Sequence, residues 1–260
     1  MPTAHPPEWR LPTGVAGGVW EYTQADHIAE GYDEYFAQNR LFEFDEQVLA
    51  RHLTRPGLVV DLGCGTGRAV LPLARRGFPC LAVDLSLRML QILGEKASLE
   101  GLAISRVRAN LVELDAIRSN SADYCLCLFS TLGMISGRRN RLRMLAHVRR
   151  ILKPGGLFVF HVHNLWYNLF DPAGRRWLAR HLLTRIVSRQ MEVGDRFFDY
   201  RGVPNMYLHT FTRRELACAL RETEFRAKEW MPLNTTRQCP LPYPWFFGRL
   251  RANGWIVVCE

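Results

Sequence analysis

The chain has 260 residues, 48% hydrophobic and 23% charged, the balance of a soluble globular protein built as one large domain. Aromatics at 11% exclude a disordered chain, and the longest uncharged apolar run, Tyr124 to Ile135, is too short for a membrane-spanning helix. The net charge of +9 is unevenly placed: residues 1–50 hold nine acids and two arginines, whereas 135–190 hold twelve Lys or Arg and one acid, Asp171.

Residues 1–19, rich in Pro and Gly, read as an irregular leader, and MPTAHPPEWR lacks the basic and apolar regions of a secretory signal. The spacing predicts a helix over 26–40, with Ile28, Tyr32 and Tyr35 or Phe36 on one face, and a second over 44–53. Short apolar runs then alternate with helical segments. The runs are LVVDL (58–62), CLAVDL (80–85), ISRVRA (104–109), ADYCLCLFS (122–130) and GGLFVFHVH (155–163). Between the last two, RRNRLRMLAHVRRILK sets Leu142, Leu145, Val148 and Leu152 at helical spacing. Nearly continuous apolar strands alternating with helices predict an α/β fold: a doubly wound, mostly parallel sheet covered on both faces. After residue 164 the rhythm breaks. An amphipathic helix (Trp177 to Arg189), an extended DRFFDY and a helix over 211–225 with Thr212 as N-cap follow. FRAKEWMPL and GWIVVCE read as closing strands.

The seven cysteines are scattered without a CxxC pair, and most lie in apolar runs. They read as small buried thiols in a reducing cytoplasm, not as a disulfide framework or zinc site. No metal site is expected.

The most informative segment is Val59-Val60-Asp61-Leu62-Gly63-Cys64-Gly65-Thr66-Gly67. A strand runs into three alternate glycines and then a helix, at the strand edge where open α/β sheets bind ligands. A dinucleotide loop needs GxGxxG, but Arg68 occupies the last position; the Lys-Ser/Thr of a phosphate loop is also missing. The acid Asp61, two residues before Gly63, suits a ligand with a cationic amine and repels a pyrophosphate.

With VVDLGCGTG, Asp84 closing CLAVDLS, RANLVEL, ADYCLCLFSTLGMI and LRMLAHVRRILKPGGLFVF in order, the sequence resembles the class I S-adenosylmethionine-dependent methyltransferases. The resemblance covers 57–163 and, more loosely, 207–260. It implies a seven-stranded Rossmann-like sheet with an N-terminal helical cap (1–56), a cofactor-binding core (57–164), an insert or lid (165–206) and a closing helix and strands (207–260). It also implies S-adenosyl-L-methionine as methyl donor, with S-adenosyl-L-homocysteine as its product. Gly63, Cys64, Gly65 and Gly67 would line the donor's methionine and ribose, Asp61 would hold its amino group, and Asp84 would accept from the ribose hydroxyls. Leu85 would pack on adenine, and Leu111 is a further cofactor contact. Asn110 stands where the family has Asp; its carbonyl would accept from the adenine amine. Phe129 and Ser130 would lie beside the methyl, with Tyr22 and Tyr32 closing over it.

For the acceptor, HVHN ends the fifth strand at the ligand edge. Alternation puts His161 and His163 on one face and Asn164 on the other, and His163 is the best-placed general base. Tyr207 and His209 join Tyr32, Ser130, His161 and Asn164 as candidate substrate contacts. The GxSxG and HExxH motifs are absent, and Cys125 and Cys127 lie in a buried strand. Arg138, Arg139, Arg141 and Arg143, with Arg175, Arg176, Arg180, Arg185 and Arg189 of the insert, are expected to ring the pocket mouth. A small acidic or aromatic acceptor under the insert is the first expectation. YLHTFTRREL resembles methyltransferases of modified wobble uridines in transfer RNA, so RNA gripped by the arginine rim is the alternative. A cofactor-binding protein without catalysis is the third reading.

Overall fold

The structure, a computed structural model, describes residues 8–37, 41–187 and 192–260. Four helices come first: α1 (Gly17–Gln24), α2 (Asp26–Glu30), α3 (Tyr32–Phe36) and α4 (Leu41–His52). The single helix expected over 26–40 is broken at Gly31, whose N–H bonds the His27 carbonyl at 3.2 Å and closes α2; its last residues, 38–40, lie outside the described ones. Part of the expected irregular leader is helical, as α1 shows.

The α/β core follows: β1 (Val59–Leu62), α5 (Val70–Arg75), β2 (Cys80–Asp84), α6 (Leu87–Leu99), β3 (Ile104–Arg108), β4 (Ala122–Cys127), α7 (Arg138–Ile151) and β5 (Leu152–His163). Ser86 caps α6 by accepting from Met89 N–H. Leu152, expected on the face of α7, instead opens β5, which is longer than GGLFVFHVH. The insert holds a short 3₁₀ turn, Leu165–Phe170, then α8 (Pro172–Val187), then a hairpin of β6 (Asp195–Tyr200) and β7 (Val203–His209). Helix α8 begins five residues before the predicted Trp177, and Arg189 lies outside the described residues. The chain closes with α9 (Arg213–Glu222), β8 (Ala227–Pro232), α10 (Gly248–Arg251) and β9 (Gly254–Cys259). Thr212 and Glu215 form a full capping box at the start of α9.

The main sheet is seven-stranded, in the order β3-β2-β1-β4-β5-β9-β8. The first five strands are parallel; β9 is antiparallel to β5 and β8. Alternation divides the strand side chains between two cores. Val60, Cys125, Phe158, Phe160 and Val257 face Met144 and Val148 of α7 and Leu216 of α9. Val59, Leu126, Val159 and Ile256 face Val48 of α4, Leu73 of α5 and Leu93 of α6. Burial on both faces is why these strands read as unbroken apolar runs. Strand β3 departs from that rule: at the sheet edge, its Ser105 to Arg108 are exposed.

Strand order reverses between β1 and β4, so a crevice opens at their carboxyl ends. The insert hairpin and the first helices close over that crevice. Helix α1 lies so close to β7 that a Cβ on Gly18 would meet the Asn205 carbonyl at 2.2 Å. Val19, Met206 and Tyr207 form a small core between them. Ile28 and Ala29 of α2 pack on Met89 of α6 and Val203 of β7.

Candidate functional site

At the end of β1 the three loop glycines all have positive φ (+79°, +54° and +93°), but they serve different ends. A Cβ on Gly63 would strike Thr131 at 2.4 Å and one on Gly67 would strike Leu93 at 2.2 Å, so these two permit close packing. A Cβ on Gly65 would meet only Tyr32, at 3.9 Å, so Gly65 faces open space. The Asp84 carboxylate fixes this loop, accepting Gly65 N–H and Ser86 N–H at 2.8 Å each.

That open space is a cavity of about 140 Å³ lined by Asp61, Gly63, Cys64, Gly65, Asp84, Leu85, Asn110, Leu111 and Phe129 among others. Tyr32, expected at the substrate, lines this cavity too, together with Tyr22 and Arg68. Gly67 does not line it; Leu93 covers it. Asn110 is held by its own amide: Nδ2 donates to the Thr13 carbonyl at 2.9 Å and Oδ1 accepts Val112 N–H at 3.2 Å. Its carbonyl is therefore already engaged in a turn bond.

Two carboxylates, the buried Asp61 and the half-buried Asp84, give the cavity its chemistry. Burial drives the Asp61 carboxyl up to about 7, only partly offset by Arg68, with Asp84 and Asp45 pushing the same way. Burial also raises Asp84, against the N–H bonds that favour its charged form. Arg68 is itself paired with Asp45 at 2.7 Å and stacked over Phe42. A ligand bringing a cationic amine to Asp61 and hydroxyl donors to Asp84 would meet the demand of both groups. S-adenosylmethionine has both features, so the residues present fit it.

A second, larger cavity of about 720 Å³ adjoins the first. Tyr22, Phe129 and Met134 line both. Phe129 and Ser130 leave β4 with left-handed φ of +55° and +66°, strain that β4 end and loop hold in place. The second cavity's walls also come from the insert (Tyr167, Asn168, Arg196, Phe198, Tyr200, Met206), from Ser130 and His163, and from Arg237 and Asn253 of the C-terminal region.

His163 lines this cavity as expected, but its bonding is not that of a poised base. Burial, then the Arg237 guanidinium, lowers it to about 3, although a bond with Asn253 works the other way. Arg237 has only donors, so its N–H points at the His163 Nε2 lone pair, at a long 3.5 Å. His161 lies beneath His163, ring centroids 5.1 Å apart, fully buried, lining neither cavity and with Nε2 unbonded. Asn164 lines the second cavity, yet both its amide protons go to the Arg249 and Ala252 carbonyls and its oxygen accepts Trp166 N–H. Ser130 Oγ accepts the His163 N–H at 3.2 Å.

Tyr207 and His209 belong to a buried ionic knot. Tyr207 lines the second cavity, but its hydroxyl donates to Asp195 at 2.6 Å. His209 lines neither cavity. Its Nδ1 meets Asp195 at 2.7 Å and its Nε2 meets Glu215 at 2.8 Å. Both partners only accept, so both ring nitrogens donate and the ring is an imidazolium. Burial alone would lower its pKa; the bonds to Asp195 and Glu215 prevail and raise it. Arg141, 3% exposed, pairs with Glu192 and reaches Tyr207 and Glu215. Glu192, Asp195 and His209 offer ligand-type atoms within 4.8 Å of one another, but Arg141 and the imidazolium supply the positive charge there.

Among the described residues, none of the arginines expected at the rim lines either cavity; Arg189 and the side chain of Arg185 lie outside the described residues. Arg141 is buried in the knot, Arg138 pairs with Glu222, Arg143 stands 3.9 Å from Asp115, and Arg175 donates to the Leu169 carbonyl. The guanidinium groups that do face the cavities are Arg68, Arg196 and Arg237. Sequence reasoning assigned none of the three to the site; no local pattern around DRFF or TTRQ marks Arg196 and Arg237.

Residues 59–156 match the family described as Methyltransferase domain. The fold is that of S-adenosylmethionine-dependent methyltransferases: one from Methanosarcina mazei superposes with a TM-score of 0.65 over 82% of this chain and 95% of its own, at 20% identity. The 1,6-didemethyltoxoflavin-N1-methyltransferase of Burkholderia thailandensis, solved with its substrate and S-adenosylhomocysteine, gives 0.60 over 90% of this chain and 83% of its own, at 19% identity. The malonyl-[acyl-carrier protein] O-methyltransferase of Marinomonas sp. (strain MWYL1) is 34% identical over 143 residues, 52% of this chain and 48% of its own. The chain spans about half the length of the curated relatives it matches in this way. Residues 59–156 thus match a methyltransferase domain, and the fold around them is the one that S-adenosylmethionine-dependent methyltransferases share. Among the described residues no helix is long and apolar enough to cross a membrane.

Proposed function

We propose that the chain transfers the methyl group of S-adenosylmethionine to an oxygen or nitrogen atom of a small molecule held in the larger cavity. The observation that carries this reading is the junction of the two cavities at Tyr22, Phe129 and Met134. A donor in the first cavity and an acceptor in the second would meet there. Bound against Gly65, Asp61 and Asp84, the donor supplies an electrophilic methyl carbon; the protein's own contribution is to align the two molecules and exclude water. The relatives favour no single acceptor atom: one is named an O-methyltransferase and one an N1-methyltransferase.

A small acceptor is favoured over RNA because the larger cavity is walled by aromatic side chains and roofed by the hairpin β6–β7 and α1. Three of the arginines on which an RNA grip rested, Arg141, Arg138 and Arg175, are engaged by Glu192, Glu222 and a backbone carbonyl. His163 faces the acceptor as a neutral group whose free nitrogen is turned to Arg237, so alignment carries the rate and proton removal contributes little. The test is calorimetry with S-adenosylhomocysteine, followed by release of that product from S-adenosylmethionine when acceptors are supplied. Binding with acceptor-dependent release supports the reading. Binding without release from any acceptor of a broad metabolite set supports the non-catalytic alternative, and no binding refutes both.

A further inference from the structure

We infer that the methyl acceptor is a small carboxylic acid with an apolar, ring-bearing body, its carboxylate held by the guanidinium groups of Arg237 and Arg196. The inference deepens the proposed function and rests on it.

The charge of the larger cavity is one-sided. Arg196 and Arg237 are the charged side chains among its lining residues, and neither Asp nor Glu accompanies them. Other partly covered arginines of the chain meet acids directly: Arg68 meets Asp45 at 2.7 Å, Arg88 meets Glu30 at 3.0 Å, and Arg141 meets Glu192. Among the described residues, Arg237 and Arg196 have no such ion pair. The Arg237 side chain has the 3.5 Å contact to His163 and lies 5.8 Å over the Phe129 ring. Arg196 donates to Asn168 Oδ1 at 2.9 Å and lies over Trp177 and Phe198. Each guanidinium carries five N–H donors, so most of these remain to be used. Burial presses Arg237 below the usual arginine range, and Asp45, whose carboxylate is already paired with Arg68, offsets this only in part. An arginine stays charged nonetheless, so the deficit is met by an anion.

The rest of the cavity describes the body that carries the anion. Tyr35, Phe36, Phe129, Tyr167, Phe198 and Tyr200 present aromatic surface, and the volume suits a ring with a short chain. A carboxylate matches the planar arginine fork. A phosphate fits the same fork, so the experiment sets the acids against phenyl phosphate.

The experiment titrates the full-length protein, saturated with S-adenosylhomocysteine, with 3-phenylpropionate and indole-3-acetate, each beside its neutral amide and beside phenyl phosphate. The acids are expected to bind at least tenfold more tightly than the amides. Arg237→Gln and Arg196→Gln should each weaken the acids by roughly 10- to 100-fold and leave the amides unchanged. Arg237→Lys should keep part of the preference, which separates charge from packing. Amides binding as well as acids, phenyl phosphate binding best, or no acid binding at all would overturn the inference while normal S-adenosylhomocysteine affinity leaves the methyltransferase reading standing. Failure to bind S-adenosylhomocysteine overturns both.

Discussion

Gly65 offers a way to fill the donor site with one methyl group and a matched control for the backbone strain. At φ +54° an alanine costs about 1 kcal/mol in the left-handed region. Gly101, at φ +65°, carries the same cost in a turn where a Cβ meets nothing within 4 Å. For a domain of this size each substitution should lower the melting midpoint by about 2–4 °C. Only Gly65→Ala puts its methyl into the donor cavity, against the space beside Tyr32. Calorimetry with S-adenosylhomocysteine should therefore show at least a tenfold loss for Gly65→Ala and wild-type affinity for Gly101→Ala. Equal affinity in the two variants, with equal melting shifts, would refute the placement of the donor on Gly65.

Asp61 should make donor binding pH-dependent. With its carboxyl near 7, part is protonated at neutral pH, and a cationic amine favours the charged form. S-adenosylhomocysteine affinity should rise as pH increases through about 7 and level off above it, with proton release seen by calorimetry in two buffers of different ionisation enthalpy. His163→Ala should keep donor affinity and lower turnover less than the ~10²–10⁴-fold expected of a true general base; a loss in that range in a stably folded variant would restore the base role. Arg141→Leu leaves the half-buried Glu192 without its cation, while Glu215 keeps His209, and should cost about 1–3 kcal/mol in urea unfolding. In the same knot, His209 is raised, so its stabilisation is present below pH 6.5 and fades as pH climbs through its folded value. Burial alone would raise Asp195, but the bonds from His209 and Tyr207 prevail and lower it, so its stabilisation is present above 3.8 and fades as pH falls. His209→Gln should flatten the alkaline limb of the stability profile measured by urea titration.

The core was legible because its chemistry is local. Strands buried on both faces read as apolar runs, and the GCGTG loop, Asp84 and the Thr212 cap carry their meaning within a few residues. The hairpin β6–β7 was half seen. DRFFDY is visible, but β7 holds Pro204 and its buried and exposed residues follow no regular alternation over a two-stranded sheet, so its pattern is faint. The arginines misled for a different reason. A count of charges shows that Arg138 and Arg141 are close in sequence, but not that Glu222 and Glu192, more than fifty residues later, neutralise them. Arg237 and His209 show the same limit in opposite directions: long-range packing turns a nondescript loop residue to the cavity and a promising histidine away from it.

The central claim is that donor and acceptor occupy two adjoining cavities that meet at Phe129. A crystal structure of the complex with S-adenosylhomocysteine tests it most directly. The amino group should lie against Asp61, the ribose hydroxyls at Asp84, and the sulfur should face Phe129 and the larger cavity. A product bound elsewhere, or bound with its sulfur turned away from that cavity, would contradict the account.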